Sequence, residues 1–324
     1  MAATAASSFS AAAAAAARRS SPSHLRLLAR RHLPFSSTVS FSAAAPPAAA
    51  ASFGWEDALR VAADDRRGDE SDLSGYFRKV DTCNRGMDKK GEFVEFMVED
   101  QVVGYIHQGF VEHLRDFHDV FTIASGSNGN NNVEHVTLHS SLRTPDERTN
   151  AVGSVIRSLG DLIPGIRNEL FPITSSYGMP VYFSLERAAA PFFGIKPYGI
   201  SCEENVIKEC EEEAGIPRSI SSNATSVGAI SYMDIEGFRY KRDVLFCYDL
   251  KLPPDFVPNN EDGEVDSFRL IPVPHAANII RRTHFFKPNC NLVIIDFLFR
   301  HGYINPDYLG YLKLLQSLRR GDCS

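Results

Sequence analysis

A mixed α+β protein, with two domains behind an unstructured leader, is what this sequence predicts. Three observations carry that expectation. Residues 1–55 hold no Asp or Glu among many alanines and serines. Residues 56–190 interleave alternating, strand-like runs with helical spacings, and residues 191–324 likewise mix strand-like and helical runs. A chain of 324 residues also has room for two modest domains once a leader is set aside.

The leader carries Arg18, Arg19, Arg26, Arg30 and Arg31. Basic, Ser/Ala-rich and free of acids, it suits an organelle transit peptide, and a plain disordered tail is the alternative. Its arginines lie mid-segment and Pro22, Pro34, Pro46 and Pro47 interrupt it, which argues against a secretory signal. Without these five charges the formal net charge moves from −6 to −11. So acidic a chain, lacking basic patches with interleaved aromatics, argues against a nucleic-acid partner. No apolar run approaches the roughly 20 residues that cross a bilayer, so no membrane role is expected.

In the N-terminal domain, residues 56–190, Phe93 to Val98 and Val133 to Leu138 alternate as strands. Phe110 to Phe117 has helical spacing. Thr144-Pro145-Asp146-Glu147 is a capping box with proline at the first helical position, and Val152, Val155, Ile156 and Leu159 form the buried stripe behind it. The polar tract Gly126 to Asn132 reads as a loop.

Beyond residue 190, Ser226 to Met233, Val244 to Leu250 and Phe268 to Val273 read as strands, and Asn291 to Arg300 and Pro306 to Leu318 as helices. The cysteines Cys83, Cys202, Cys210, Cys247, Cys290 and Cys323 contain no CxxC pair, so neither a disulfide framework nor a zinc site is indicated. Cys210 and Cys247 read as small core residues.

The helix that carries chemistry is expected from Ser201, its cap, to Ala214, where Gly215 supplies a left-handed stop and Pro217 forbids continuation. Val206, Ile207, Cys210 and Ala214 fall on one arc, and Glu209, Glu212 and Glu213 on the arc beside it. Like charges three and four apart near a helix C-terminus repel each other and oppose the macrodipole, so a hard divalent cation is a natural compensator. A solvated acidic face is the alternative.

In full, Lys208-Glu209-Cys210-Glu211-Glu212-Glu213-Ala214-Gly215-Ile216 resembles the core of a Nudix box, with Gly194 in the register of the first glycine. Ile200 stands where the first Glu belongs and Lys208 where the family has Arg, which keeps a cation but loses its planar fork. The stretches Leu185 to Ile195 and Phe285 to Asn291 extend the resemblance to a plant subgroup whose N-terminal domain is shared with thiamin pyrophosphokinase-related proteins.

The resemblance implies a Nudix-type α/β/α sandwich over residues 191–324. It also implies Mg²⁺ or Mn²⁺ held by Glu209, Glu212 and Glu213, and Glu212 acting in catalysis. Glu264, in the late acidic stretch Glu261 to Asp266, is the candidate for a further catalytic carboxylate, a solvated turn being the alternative. The substrate implied is a small organic diphosphate, either a nucleoside diphosphate or triphosphate derivative or a thiamin diphosphate analogue, hydrolysed in the plastid stroma.

In the family Phe192-Phe193-Gly194-Ile195 is a first strand, separated from the box helix by roughly forty residues of sheet, a figure set by ordinary strand and loop lengths. Here only Lys196-Pro197-Tyr198 intervene before Gly199. The sheet is therefore expected to be shortened, and a catalytically silent ligand-binding or regulatory protein is the alternative function.

Overall fold

A computed structural model of the chain describes residues 2–7, 17–18, 24–30, 53–64, 69–125, 133–197, 202–263 and 265–321. Three strands lie in the leader: β1 (Ala2–Ser7), β2 (Ala17–Arg18) and β3 (His24–Arg30). Then follow α1 (Trp55–Ala62), α2 (Ser74–Cys83), β4 (Phe93–Val98), β5 (Gln101–His107), α3 (Gln108–Val111), β6 (Phe121–Ser125), β7 (Val133–Leu138), α4 (Pro145–Leu159), β8 (Leu170–Ile173) and β9 (Phe183–Glu186). The remainder is α5 (Cys202–Ala214), α6 (Arg218–Ser221), β10 (Thr225–Glu236), β11 (Arg239–Lys251), β12 (Val265–Pro272), α7 (Val273–Arg282), α8 (Pro288–Arg300) and α9 (Tyr311–Ser317).

The expected α+β class holds. β4 and β7 occupy the residues that alternate in the sequence, because their apolar positions are the ones a half-buried strand turns inward. They pair in parallel at the centre of a four-stranded sheet, β5-β4-β7-β6, whose other pairings are antiparallel. On it packs α4. Its box forms as the sequence predicts: Glu147 N donates to Thr144 Oγ1 (3.2 Å) and Thr144 N donates to Glu147 Oε2 (2.9 Å).

The helix expected over Phe110 to Phe117 is a single α turn, α3, running into a 3-10 turn at Glu112–Leu114. The glycine tract at 126–132 lies outside the described residues.

Phe192 to Ile195 is not a strand, contrary to the family-based expectation. Arg187–Phe193 winds as a 3-10 helix that Gly194 ends in the left-handed region at φ +55°. The reason is local and tertiary at once. Gly194 and Gly104 lie so close to the opposing backbone that a Cβ on either would meet a carbonyl oxygen at 2.3 Å (Tyr105) or 2.2 Å (Phe193). The segment is thus pinned against β5 face-on and does not pair with it.

In the C-terminal half β10 and β11 form a long antiparallel hairpin about Gly237-Phe238, with Gly237 at φ +56°. One face of the hairpin meets α2, α7 and α8 through Ile230, Tyr232, Leu245 and Cys247. α1 and α2 precede the N-terminal sheet in sequence but pack in this C-terminal core. Phe93, Met233, Ile235 and Tyr240, with Tyr105 against them, join the two halves.

Three short segments of the leader, which the sequence suggests is unstructured, are extended. β1 pairs antiparallel with β11, and β3 with β12 and β2. A hairpin and a strand that lack further neighbours present unpaired N–H and C=O groups, and such an edge accepts any extended segment that reaches it.

Candidate functional site

α5 ends where the sequence places its stop. Gly215 N donates to Glu211 O (2.9 Å) and Ile216 N to Cys210 O (3.0 Å), with Gly215 at φ +59°. These crossed bonds occupy carbonyls that the last turn would otherwise leave open. Ser201, the expected cap, and Ile200 lie outside the described residues.

Val206, Ile207, Cys210 and Ala214 are buried, as their arc predicts. Val206, Cys210 and Ala214 pack with Ile216 on Tyr248 and Leu250 at the far end of β11 and on Leu252 just beyond it. Burial holds the Cys210 thiol up at about 12, and the Cys247 thiol is pushed higher still, so both behave as core residues.

The three glutamates separate by environment. Glu209 and Glu212 are half-buried, and Glu212 forms an exposed ion pair with Lys208 at 3.6 Å. Glu213 is 1% exposed. Val206, Cys210, Glu213 and Ala214 stand at i, i+4, i+7 and i+8, so Glu213 rides on the buried stripe itself. This spacing was legible in the sequence, although the arc reading placed Glu213 with its more exposed neighbours. Burying a carboxylate is costly unless it is compensated.

The second acidic stretch is brought to the same end of α5. Glu261 N and Asp262 N both donate to Glu212 O (3.1 Å each), and Asn259 N donates to Ala214 O (3.1 Å). A Cβ on Gly215 would meet Asn259 O at 3.3 Å and Glu261 Oε1 at 3.4 Å. Residues 259–262 therefore close the helix C-terminus by supplying amide donors to its open carbonyls, and they bring acidic side chains alongside. Glu261 and Asp262 are the neighbours that residue-by-residue reading missed. Glu264 lies outside the described residues.

Carboxylate oxygens are the donors a hard divalent cation takes, so this set fits such an ion in kind. Among the described residues no three His, Cys, Asp or Glu side chains converge closely enough to hold one. Gly194, in register with the first box glycine, has its own structural work against β5, described above.

Comparison with known proteins bears on this site. A family model described as a domain of unknown function, DUF4743, matches residues 75–197. The match ends at Pro197, inside the short connection that precedes α5. "Nudix hydrolase 20, chloroplastic" of Arabidopsis thaliana is 48% identical over 336 aligned positions, covering 90% of this chain and 89% of the relative. "Nudix hydrolase 24, chloroplastic" of the same plant is 51% identical over 298 positions, covering 78% of this chain and 80% of the relative. An uncharacterised protein of Saccharomyces cerevisiae is 41% identical over 137 positions, covering 38% of this chain and 39% of the relative.

In the first alignment 90% of 324 residues is about 292, so about 44 of the 336 positions have no counterpart in this chain. The second leaves about 45 of its 298 positions in the same state, since 78% of the chain is about 253 residues.

Proposed function

The chain belongs to the Nudix hydrolase family, hydrolases of phosphoric anhydrides, and on that premise we propose that it is a magnesium-dependent diphosphatase of the chloroplast. Its substrate is a small organic diphosphate, either a nucleoside diphosphate or triphosphate derivative or a thiamin diphosphate analogue. Residues 1–55 act as the transit peptide. The observation that carries the reading is α5: a helix with Glu209, Glu212 and the buried Glu213, closed at its C-terminus by a second acidic segment.

In this reading Glu209, Glu212 and Glu213 are the residues that would hold the cation, which when bound would neutralise diphosphate charge and lower the pKa of a bound water. Manganese serves in place of magnesium. The apolar arc of α5 fixes the helix on β11, so that the carboxylates are set by packing and not by flexible loops. Lys208, at 3.6 Å from Glu212, orients that carboxylate as a point charge. Glu212 and Glu264 are the residues assigned to positioning and activating the attacking water.

Metal titration tests the assignment. Mn²⁺ should bind the chain, and Glu212→Gln or Glu213→Gln should weaken it at least tenfold, while Glu211→Gln, on the exposed side of α5, leaves it unchanged. Equal effects from all three would mean a diffuse acidic surface and would remove the ligand assignment.

A second reading, a catalytically silent ligand-binding or regulatory protein, is favoured by the roughly 44 aligned positions this chain lacks. We place that loss between Pro197 and α5. Turnover of oxidised nucleotides and thiamin diphosphate analogues by this chain, beside one carrying a relative's segment at that point, separates the two. Activity in the restored chain alone would establish the silent reading for this sequence.

A further inference from the structure

A cavity of about 640 Å³ opens between the N-terminal domain and the start of β11. Its wall carries six cations: Arg167, Arg187, Arg239, Lys241, Arg242 and Lys287. Among the described residues two carboxylates, Glu186 and Asp243, share it. The formal charge of the lining is therefore about +4, in a chain whose formal net charge is −6.

Some of this charge is fixed by structure. Arg242 is buried, donates from Nη1 to Gly194 O (3.2 Å) and lies over the Tyr105 ring at 4.8 Å. Arg187 pairs with Glu169 at 2.6 Å, and Lys241 with Asp243 at 3.1 Å. The Arg167 and Arg239 side chains are both exposed at the rim, and among the described residues neither is in an ion pair. Lys287 also marks the N-terminus of α8, whose open amides add positive potential there.

A concave wall of one sign focuses its field and raises the local concentration of counter-charged ligands. Phe171 and Phe192 supply apolar surface in the same cavity, with the Arg187 and Arg239 guanidinium carbons 5.8 and 6.0 Å from the centres of the two rings. The volume is that of a small-molecule site. This site is also separate from the acidic helix. Tyr248, against which α5 packs, lies six positions along β11 from Arg242, a span of about 20 Å at strand rise.

We propose that this cavity binds a ring-bearing phosphate ester without a metal, the phosphate lying among Arg239, Lys241 and Lys287 and the ring against Phe192. The binding stands apart from hydrolysis at α5 and does not depend on it.

Calorimetric titration of the full chain in EDTA with adenosine 5′-monophosphate, 4-nitrophenyl phosphate, inorganic phosphate and adenosine is the test. The two aryl or nucleoside phosphates should bind more tightly than phosphate or adenosine, and binding should weaken steeply between low and moderate salt. The double substitution Arg239→Gln with Lys241→Gln should weaken it at least tenfold, and the rim substitution Arg167→Gln severalfold, with thermal unfolding confirming that each variant is folded. The pair Glu209→Gln with Glu212→Gln should leave it unchanged while removing Mn²⁺ binding, so that failure here is distinct from failure of the hydrolase reading. Absence of binding by both phosphate esters, or affinity indifferent to the Arg239 and Lys241 substitutions, overturns the proposal.

Discussion

Gly194 sits against Tyr105 so closely that a Cβ there would fall 2.3 Å from the Tyr105 carbonyl oxygen. The contact joins the end of the 3-10 helix to β5, and Gly194 holds a φ of +55° that side chains rarely adopt. Gly194→Ala should therefore cost about 2 kcal/mol or more, from strain and steric conflict together. Gly165 has φ +85° but open space around it, so Gly165→Ala should cost only about 1 kcal/mol. Equal losses in urea unfolding would show that backbone conformation, and not the approach to β5, sets the effect.

Arg300 ties α8 to β11 in the C-terminal core: it donates to Asp249 of β11 at 2.7 Å and to Asp296 of its own helix at 2.6 Å. His301 and Arg319 reach the same two carboxylates at 2.9 and 3.3 Å. The Asp249 and Asp296 side chains are 17% and 3% exposed, so removing the cation strands partly desolvated charge. Arg300→Met should lower unfolding free energy by about 3 kcal/mol. A loss below about 0.5 kcal/mol, typical of a surface pair, would contradict the buried network.

Acid should weaken the N-terminal domain through the α4 cap. Hydrogen bonds from the Thr144 and Arg143 amides hold the Glu147 carboxyl below its usual range. A depressed folded-state pKa gives stability that is full above the unfolded value of about 4.3 and is lost as pH falls through the folded value. Glu147→Gln should therefore narrow its deficit against the parent as pH drops from 6 toward 3. Thr144→Ala, which removes the cap acceptor, should cost about 1 kcal/mol at neutral pH. A Glu147→Gln deficit that is constant with pH would show that the carboxylate's charge plays no part.

Removal of residues 1–52 should uncover the edges of β11 and β12 that β1 and β3 cover. The shortened chain, which under the proposed transit peptide is close to the mature form, is expected to self-associate at micromolar concentration where the full chain does not, because an exposed strand edge recruits other strands. Sedimentation of both forms checks this. Identical behaviour would mean that the leader strands leave the edges no better protected.

Local signals reached far into this fold. The β4 and β7 alternation, the Thr144 box and the Gly215 stop each concern a few neighbouring residues, and each stands where the sequence put it. Register alone carried the resemblance of Lys208 to Ile216 to the core of a Nudix box, a contiguous pattern, and the relatives show that the chain belongs to that family.

What only tertiary structure decided depends on distant partners. α1 and α2 left the N-terminal domain because their apolar faces fit α7 and α8, over two hundred residues away in sequence. The Phe192 to Ile195 segment became a 3-10 helix because β5 approaches Gly194 too closely for ladder pairing. Glu213 is buried and Glu209 only half-buried because β11 covers one stripe of α5 and leaves the next partly open. The six-cation cavity has no sequence signature at all: its residues are spread from Arg167 to Lys287, and only the folding of β11 against the N-terminal domain gathers their charge into one wall.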